Sequence, residues 1–460
     1  MARSHRPVAG KRVQTSQDSV RSSAAWVLDR TLASLAPAQT FLQGPLERLE
    51  PRDRGLLVEL VLGTLRWLSR IDAVIATASH RTLDEIDPPL RSPLRIAAYQ
   101  LLFLDRIPPH AAVNEAVDHA GRLTHRGGAS FVNAVLRRIA RSPRLEDWPV
   151  RESDPVRRLA IELSHPEFLV GRWLERFGQD RTLAVLQANN RPKPMHLLGF
   201  CDRGGRELLA ERLIDEGLEV EPSMLAPMGL IVRDGDPMAT EAFSRGDFYI
   251  QDEASQVAAL IPPPRPGERI LDAAAAPGGK TFALVAKEPT LEPVMADADP
   301  GRVRVLAANL RRLGRRLPVA VADVARSPWS RPFDRVVLDL PCTGTGTFRK
   351  HPELKWRISE DEIGRLADRA LSMLRGAAPL VAEGGLLIAI TCSLEAEENE
   401  EVVGRLLEER PELDLLPLED LLEPPVRGAI RGKGFVRIFP GGDHDGFSIH
   451  VLRRGADGDR

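Results

Sequence analysis

Residues 268–287 read ERILDAAAAPGGKTFALVAK, and the change of character inside that stretch decides how the largest part of the chain folds. An apolar run passes through a turn of small residues into a helical pattern. This is the strand-turn-helix unit by which an open parallel sheet holds a ligand at the carboxyl end of a strand. Gly278 and Gly279 let backbone approach a ligand closely, and the alanines before them keep side chains out of the way. The loop lacks G-x-x-x-x-G-K-[ST], because Ala274 stands at the first glycine position, and it lacks G-x-G-x-x-G. Triphosphate and dinucleotide chemistry are therefore poorly served, and an adenosine-bearing ligand without phosphates, S-adenosylmethionine, fits better.

Downstream, VMADAD (294–299) reads as the next strand, and the carboxylate of Asp297 at its end is placed to accept both hydroxyls of a ribose. Two further acids end strand-like runs, Asp323 in VAVADVA and Asp339 in RVVLDLPC. Either alone reads equally well as a helix cap or a solvated turn residue, but three acids at consecutive strand ends of one sheet point into one crevice. FDRVVLDLPCTGTGTFRK (333–350) puts Cys342 just past a strand, and GGLLIAITCSLEAEEN (384–399) does the same for Cys392. The helical stretch between them suits one crossover, so both thiols are expected on neighbouring strands at the cofactor edge. A buried free cysteine is often only a small hydrophobe, and metal binding is disfavoured by the absence of CxxC spacing. The chemical alternative is a thiolate that adds to carbon 6 of a pyrimidine and makes carbon 5 nucleophilic. Asp339 is suited to hydrogen-bond the ring edge in that reaction.

Upstream, apolar residues recur at helical spacing from about Ser22 to Arg141, with breaks at Pro88-Pro89 and Pro108-Pro109, which predicts an all-helical domain. Residues 142–166 mix prolines and charges and read as a linker before a short helix, Phe168 to Phe177. MHLLGF, GLIVRDG and FSRGDFYIQDE supply the strands of a small α/β domain. The expected organisation is a basic disordered arm (1–20), a helical domain (21–141), linker and helix (142–180), a small α/β domain (181–250) and the catalytic domain (251–455), followed by a loose tail.

Bulk charge does not point to nucleic acid, since 63 Lys+Arg face 65 Asp+Glu for a formal charge of -2. Local basic stretches do occur, at Arg302–Arg316 and in Arg349-Lys350-His351 and Lys355-Trp356-Arg357, and they read either as RNA-facing or as solvated helix faces. Three cysteines argue against a disulfide framework and for a reducing, cytoplasmic setting. No window approaches the roughly 18 apolar residues of a membrane span.

The words LVLGTLRWLSRID, LRIAAYQLLFLDRIPPHAAVNEAV and FVNAVLRRIAR resemble the NusB-like fold. The set LDAAAAPGGKT, DAD, DLPCTGTGTFRKHPELKW, TCSLEAEEN and RIFPGGDHDGF resembles the bacterial Sun/Fmu (RsmB-type) RNA 5-methylcytosine methyltransferases. Together the two resemblances cover most of the chain. They imply a NusB-like helical RNA-binding domain, a small RRM-like α/β domain and a Rossmann-like α/β methyltransferase domain. They further imply a chain that uses S-adenosylmethionine to methylate 16S ribosomal RNA; a monomer without metal is the accompanying expectation. By resemblance Cys392 forms the covalent adduct and Cys342 assists release. DNA cytosine methyltransferases instead use the cysteine of their PC word. The cofactor positions carried over are Ala274, Ala275, Ala276, Pro277, Gly278, Gly279, Lys280, Asp297, Asp323 and Asp339, although Ala274 stands where many members have cysteine. The alternatives are a transfer-RNA cytosine methyltransferase, against which the amino-terminal domain weighs, and a NusB-like scaffold that has lost activity.

Overall fold

A computed structural model describes residues 19–455 apart from 35, 125, 327, 419–429 and 433. The basic arm up to residue 18 and the tail from 456 lie outside the described residues. The chain divides into two compact units, Met1–Val170 and Gly171–Arg460.

The first unit is helical, with α1 (Val20–Leu32), α2 (Ala38–Arg48), α3 (Pro51–Arg66), α4 (Leu68–Ser79), α5 (Pro88–Phe103), α6 (Pro109–Leu123), α7 (Arg126–Arg141) and α8 (Pro155–Glu162). The proline pairs that punctuate the sequence open helices α5 and α6. There the missing N–H costs nothing and the fixed φ suits the first turn. Leu28, Leu57, Leu60, Ile71, Leu94 and Leu136 are fully buried, each contributing about 1.5–3 kcal/mol of transfer free energy. Helix α8 lies inside the stretch expected to be a linker. Its composition is that of a loop, but Asp154 caps it by accepting the Arg157 N–H at 2.8 Å and Pro155 occupies the first helical position. Among the described residues no helix is long and apolar enough to cross a membrane.

After α9 (Glu167–Phe177), in which the division between the units falls, the second unit continues with α10 (Gln179–Asn189). Then come β1 (Met195–Gly199), α11 (Gly205–Asp215), β2 (Glu219–Pro222), β3 (Gly229–Asp234), α12 (Glu241–Arg245) and β4 (Phe248–Ile250). The βαββαβ sequence and the antiparallel order β2-β3-β1-β4 are those of a ferredoxin-like α/β domain. Leu197, Leu209, Leu213, Leu230 and Phe248 form its core.

The remaining elements are α13 (Glu253–Ala259), β5 (Arg269–Asp272), α14 (Gly279–Lys287), β6 (Glu292–Asp297), α15 (Pro300–Arg312), β7 (Val319–Val321), β8 (Phe333–Asp339), α16 (Glu360–Ala377), β9 (Val381–Thr391), α17 (Glu400–Glu409), β10 (Leu413–Leu415), β11 (Ile430–Gly432), β12 (Phe435–Ile438) and β13 (Phe447–Arg454). Their sheet runs β11-β12-β13-β9-β8-β5-β6-β7, with β10 paired to β13. It is parallel from β7 to β9 and antiparallel beyond. Successive side chains of a strand face opposite sides. Val336 and Leu338 accordingly pack with α16 and α17, whereas Val337 packs with α14 and α15 on the other face. Burial on both faces explains why these strands read as continuous apolar runs. The parallel order also sets the carboxyl ends of β5, β6, β8 and β9 side by side.

Candidate active site

The turn after β5 carries the small-residue loop. Ala274, Ala275 and Ala276 are buried, and α14 starts at Gly279 with Gly278 as its cap at φ 120°, a backbone geometry that strongly favours glycine. A Cβ at Gly278 would lie 2.3 Å from the Phe282 ring. Helix α15 braces the loop from outside: Asn309 donates to the Pro277 carbonyl at 2.9 Å, and Arg302 to that of Ala276. At the end of β6, Asp297 is 3% exposed, and its Oδ1 accepts the Asp299 N–H at 3.0 Å. Its Oδ2 makes no hydrogen bond and stands 3.3 Å from Arg302 Nη1. A buried carboxylate oxygen that faces one arginine but accepts no hydrogen bond, beside a close-approach loop, has the chemistry to accept ribose hydroxyls. Asp323 is placed differently. It is exposed beyond β7, and its Oδ1 accepts the Ala325 N–H at 3.0 Å, which shapes the following turn.

Lys280 in the first turn of α14 is 7% exposed. Its ammonium donates to Ser255 Oγ and to Asp339 Oδ2, both at 3.1 Å, and lies 5.0 Å from the centre of the Phe447 ring. Asp339, at the end of β8, is thereby oriented while its side chain stays 42% exposed. Beneath it, Asp272 is wholly buried. Burial pushes its carboxyl up to about 6 although the Thr281 hydroxyl donates to it at 2.7 Å.

The two thiols meet. Cys342 Sγ and Cys392 Sγ are 3.4 Å apart, because β8 and β9 pair in parallel with Asp339 opposite Ile390. The Leu340 N–H donates to the Ile390 carbonyl at 2.8 Å, and that of Gly346 to the Cys392 carbonyl at 2.8 Å. Gly346 sits where no larger residue fits, since a Cβ there would be 2.5 Å from the Gly446 carbonyl oxygen and 2.9 Å from that of Cys392. Buried Asn399 ties the turn beyond Cys392 by donating to the Ser393 and Glu395 carbonyls at 3.2 and 2.7 Å. The hydrogen bond to Cys392, together with burial and the nearby Glu398 and Asp339 carboxylates, raises the Cys342 thiol well above its ordinary range.

Other buried groups complete this centre without having been singled out in the sequence. Glu398 accepts the Thr343 N–H at 2.7 Å and its hydroxyl at 2.6 Å, and burial lifts its carboxyl to about 7. Lys193 donates to Asp252 at 2.8 Å and to Asp445 at 2.5 Å. This fastens the 440–446 loop, whose Gly446 N–H donates to the Gly346 carbonyl at 2.7 Å. The EAEEN and GDHDG words were visible signals, but nothing local says which of their acids turns inward.

Much of the basic character noted in the sequence is internal. Arg349 is buried and donates to the Gly442, His444 and Pro192 carbonyls, and Lys355 donates to Asn190 Oδ1 at 2.7 Å. Arg312 holds the Phe243 and Phe248 carbonyls and Arg315 pairs with Asp202, leaving Arg304, Arg311 and Arg316 exposed.

Comparison with known proteins matches residues 259–453 to the family described as 16S rRNA methyltransferase RsmB/F, 19–141 to the NusB family, and 165–239 to the Methyltr_RsmF/B-like, ferredoxin-like domain. "Probable ribosomal RNA small subunit methyltransferase B" of Bacillus subtilis (strain 168) is 34% identical over 450 residues, 95% of this chain and 99% of its own length. The chain belongs to the RsmB/F methyltransferase family. Ribosomal RNA small subunit methyltransferase B of Pseudomonas syringae pv. tomato is 33% identical over 445 residues, 96% of this chain and 98% of its own. The crystal structure of PH0851 superposes with a TM-score of 0.77 at 27% identity, covering 96% of this chain and all of that one. As an RsmB/F methyltransferase the chain takes its methyl group from S-adenosylmethionine. The Asp297 oxygen that accepts no hydrogen bond and the close-approach loop at Ala276–Gly279 fit that donor.

Proposed function

We propose that this chain methylates carbon 5 of a cytidine in small-subunit ribosomal RNA in the cytoplasm, with Cys392 as nucleophile. The observation that carries the reading is the pair of thiols 3.4 Å apart at adjacent strand ends, beside the Lys280–Asp339 pair. The names of the relatives support the ribosomal substrate. The base is taken from an unpaired or opened site, since its carbon 6 is out of reach within a stack.

Carbon 5 of cytosine is a poor nucleophile until a thiolate bonds to carbon 6 and pushes an electron pair toward it. S-adenosylmethionine supplies the electrophilic methyl group. In this reading the Cys392 thiolate makes the bond to carbon 6. Asp339 accepts a hydrogen bond from the exocyclic amine, and the Lys280 ammonium offsets negative charge that develops on the ring. The proton at carbon 5 must then leave so that the carbon 6–sulfur bond can break and free the Cys392 thiolate. Cys342, 3.4 Å from Cys392 Sγ, is the group placed for this release step, and it must itself be a thiolate to take up that proton. Ala274 to Lys280 and Asp297 hold the donor, with Asp323 at the rim.

The test is intact-mass analysis of the Cys342→Ala variant incubated with ribosomal RNA and S-adenosylmethionine. A trapped protein–RNA adduct is expected, and it should vanish when Cys392→Ala is added. An adduct that survives loss of Cys392 overturns the assignment of roles, and absence of methyl transfer by the unmodified protein overturns the activity.

A further inference from the structure

Outside the thiol site the second unit carries a cavity of about 760 Å³, lined in part by Phe177, Arg181, Phe439 and His444. That volume lies within the range of sites that take small organic ligands. The cavity shares no residue with the small-residue loop or the strand ends of the cofactor site. Phe177 and Phe439 meet edge to face at 5.0 Å and 87°, and the Arg181 guanidinium lies 4.9 Å over the Phe439 ring. Neighbouring Arg176 and Arg437 both pair with Glu400, whereas Arg181 has no ion-pair partner among the described residues. One wall is the 439–444 segment, whose Gly442 and His444 carbonyls are held by Arg349 from the Cys342 loop. Gly446, hydrogen-bonded to Gly346, follows four residues after Gly442, a chain distance of at most about 14 Å. The cavity therefore adjoins the loop system that sets Cys392.

We propose that this cavity binds a nucleotide of single-stranded RNA flanking the target cytidine, with its base against the Phe177–Phe439 corner and its phosphate on Arg181. The assignment rests on the reading that the substrate is RNA. An aromatic face that accepts any base, beside a cation lacking a protein counterion, is how proteins hold unpaired strands without reading sequence. Arg181 shares the lining with Asp180 but is not ion-paired to it, which leaves its guanidinium able to hold one phosphate, and attachment to the catalytic loops suits a strand that must present one base nearby.

The experiment uses the full chain and a single-stranded RNA decamer with 4-thiouridine on both sides of a central cytidine. Photocross-links are expected in the peptides containing Phe177 or Phe439. Binding measured by fluorescence anisotropy should weaken on the order of 10-fold for Phe439→Ala. Arg181→Glu, at a half-exposed helical position, should weaken it similarly and gives the answer if the first variant does not fold. Cross-links confined to other peptides, or decamer affinity within two-fold of the parent in the folded variants, overturns the proposal, including the case in which a protein partner fills the cavity. Methyl transfer to ribosomal RNA by the parent protein is scored separately. Its absence sinks the activity while leaving the binding result legible, and its presence with unchanged decamer affinity sinks only the cavity.

Discussion

Replacing Gly346 by alanine perturbs the thiol centre without touching a reacting group. The new methyl carbon would stand 2.5 Å from the Gly446 carbonyl oxygen and 2.9 Å from that of Cys392. Both neighbours are backbone, so neither can swing aside as a side chain would. Relief requires the 342–346 loop and the β9 terminus to separate by roughly 1 Å, which weakens the 2.8 Å bond from Gly346 to Cys392 and the 2.7 Å bond from Gly446 to Gly346. A displacement of that size at a reacting atom costs up to about 10²-fold in rate, and overpacking of this kind costs about 1–3 kcal/mol in stability. Single-turnover transfer of tritiated methyl groups to ribosomal RNA should thus fall 10- to 100-fold, while S-adenosylhomocysteine, titrated calorimetrically, still binds. Gly364→Ala is the control. It lies within helix α16 with nothing within 4 Å of the added carbon, and it should leave the rate unchanged and raise stability by about 0.5–1 kcal/mol. A Gly346→Ala protein that is folded and transfers methyl groups at the parent rate refutes the claim that this backbone contact positions Cys392.

Asp297→Asn keeps the shape but loses a charged acceptor, so S-adenosylhomocysteine affinity should drop about 10- to 100-fold by calorimetry, and an unchanged affinity would remove Asp297 from the donor site. Lys280→Met leaves Asp339 without its 3.1 Å partner and should lower the single-turnover rate about 10²-fold; a rate within three-fold of the parent rules out electrostatic assistance. Glu398 has a folded pKa of about 7 against an ordinary 4.5, so the folded state binds more protons than the unfolded state between those values. Its contribution therefore turns against folding as pH rises through that window, by up to about 3 kcal/mol. In urea titrations at pH 5 and pH 8, Glu398→Gln should flatten this part of the pH dependence, and an equal pH dependence in parent and variant contradicts the burial argument. His450 is buried and held down at about 4 against an ordinary 6.5. Its contribution is intact above 6.5 and lost as pH falls toward 4, so His450→Gln should lessen acid sensitivity in the same titrations.

What the sequence disclosed about this centre follows from how far apart in the chain the interacting groups lie. The ends of β5, β6, β8 and β9 were legible because a doubly buried parallel strand is a continuous apolar run, and the residue after it is at the ligand edge by construction. That reasoning placed Asp297, Asp339, Cys342 and Cys392 on one edge without knowledge of any partner. It failed where a side chain's direction depends on a distant segment. Arg349-Lys350-His351 has the composition of an RNA-facing word, yet Arg349 is buried, its guanidinium donating to the Arg191, Pro192, Gly442 and His444 carbonyls of two segments far away in the chain. Helix α8 was read as linker because its cap and its proline are also turn residues, and the burial that distinguishes a short helix from a turn is not local. Lys193 and Asp445 are 252 residues apart, and no periodicity links them. Their pairing is what turns a Gly-rich word, GDHDG, into a fixed support for Gly346. The consequence is a division by cause: groups placed by the strand that carries them were readable from sequence, and groups placed by a partner were not. Substitutions of Lys193 or Arg349 should accordingly act on Cys392 through loop position, showing as a lower transfer rate with donor affinity retained.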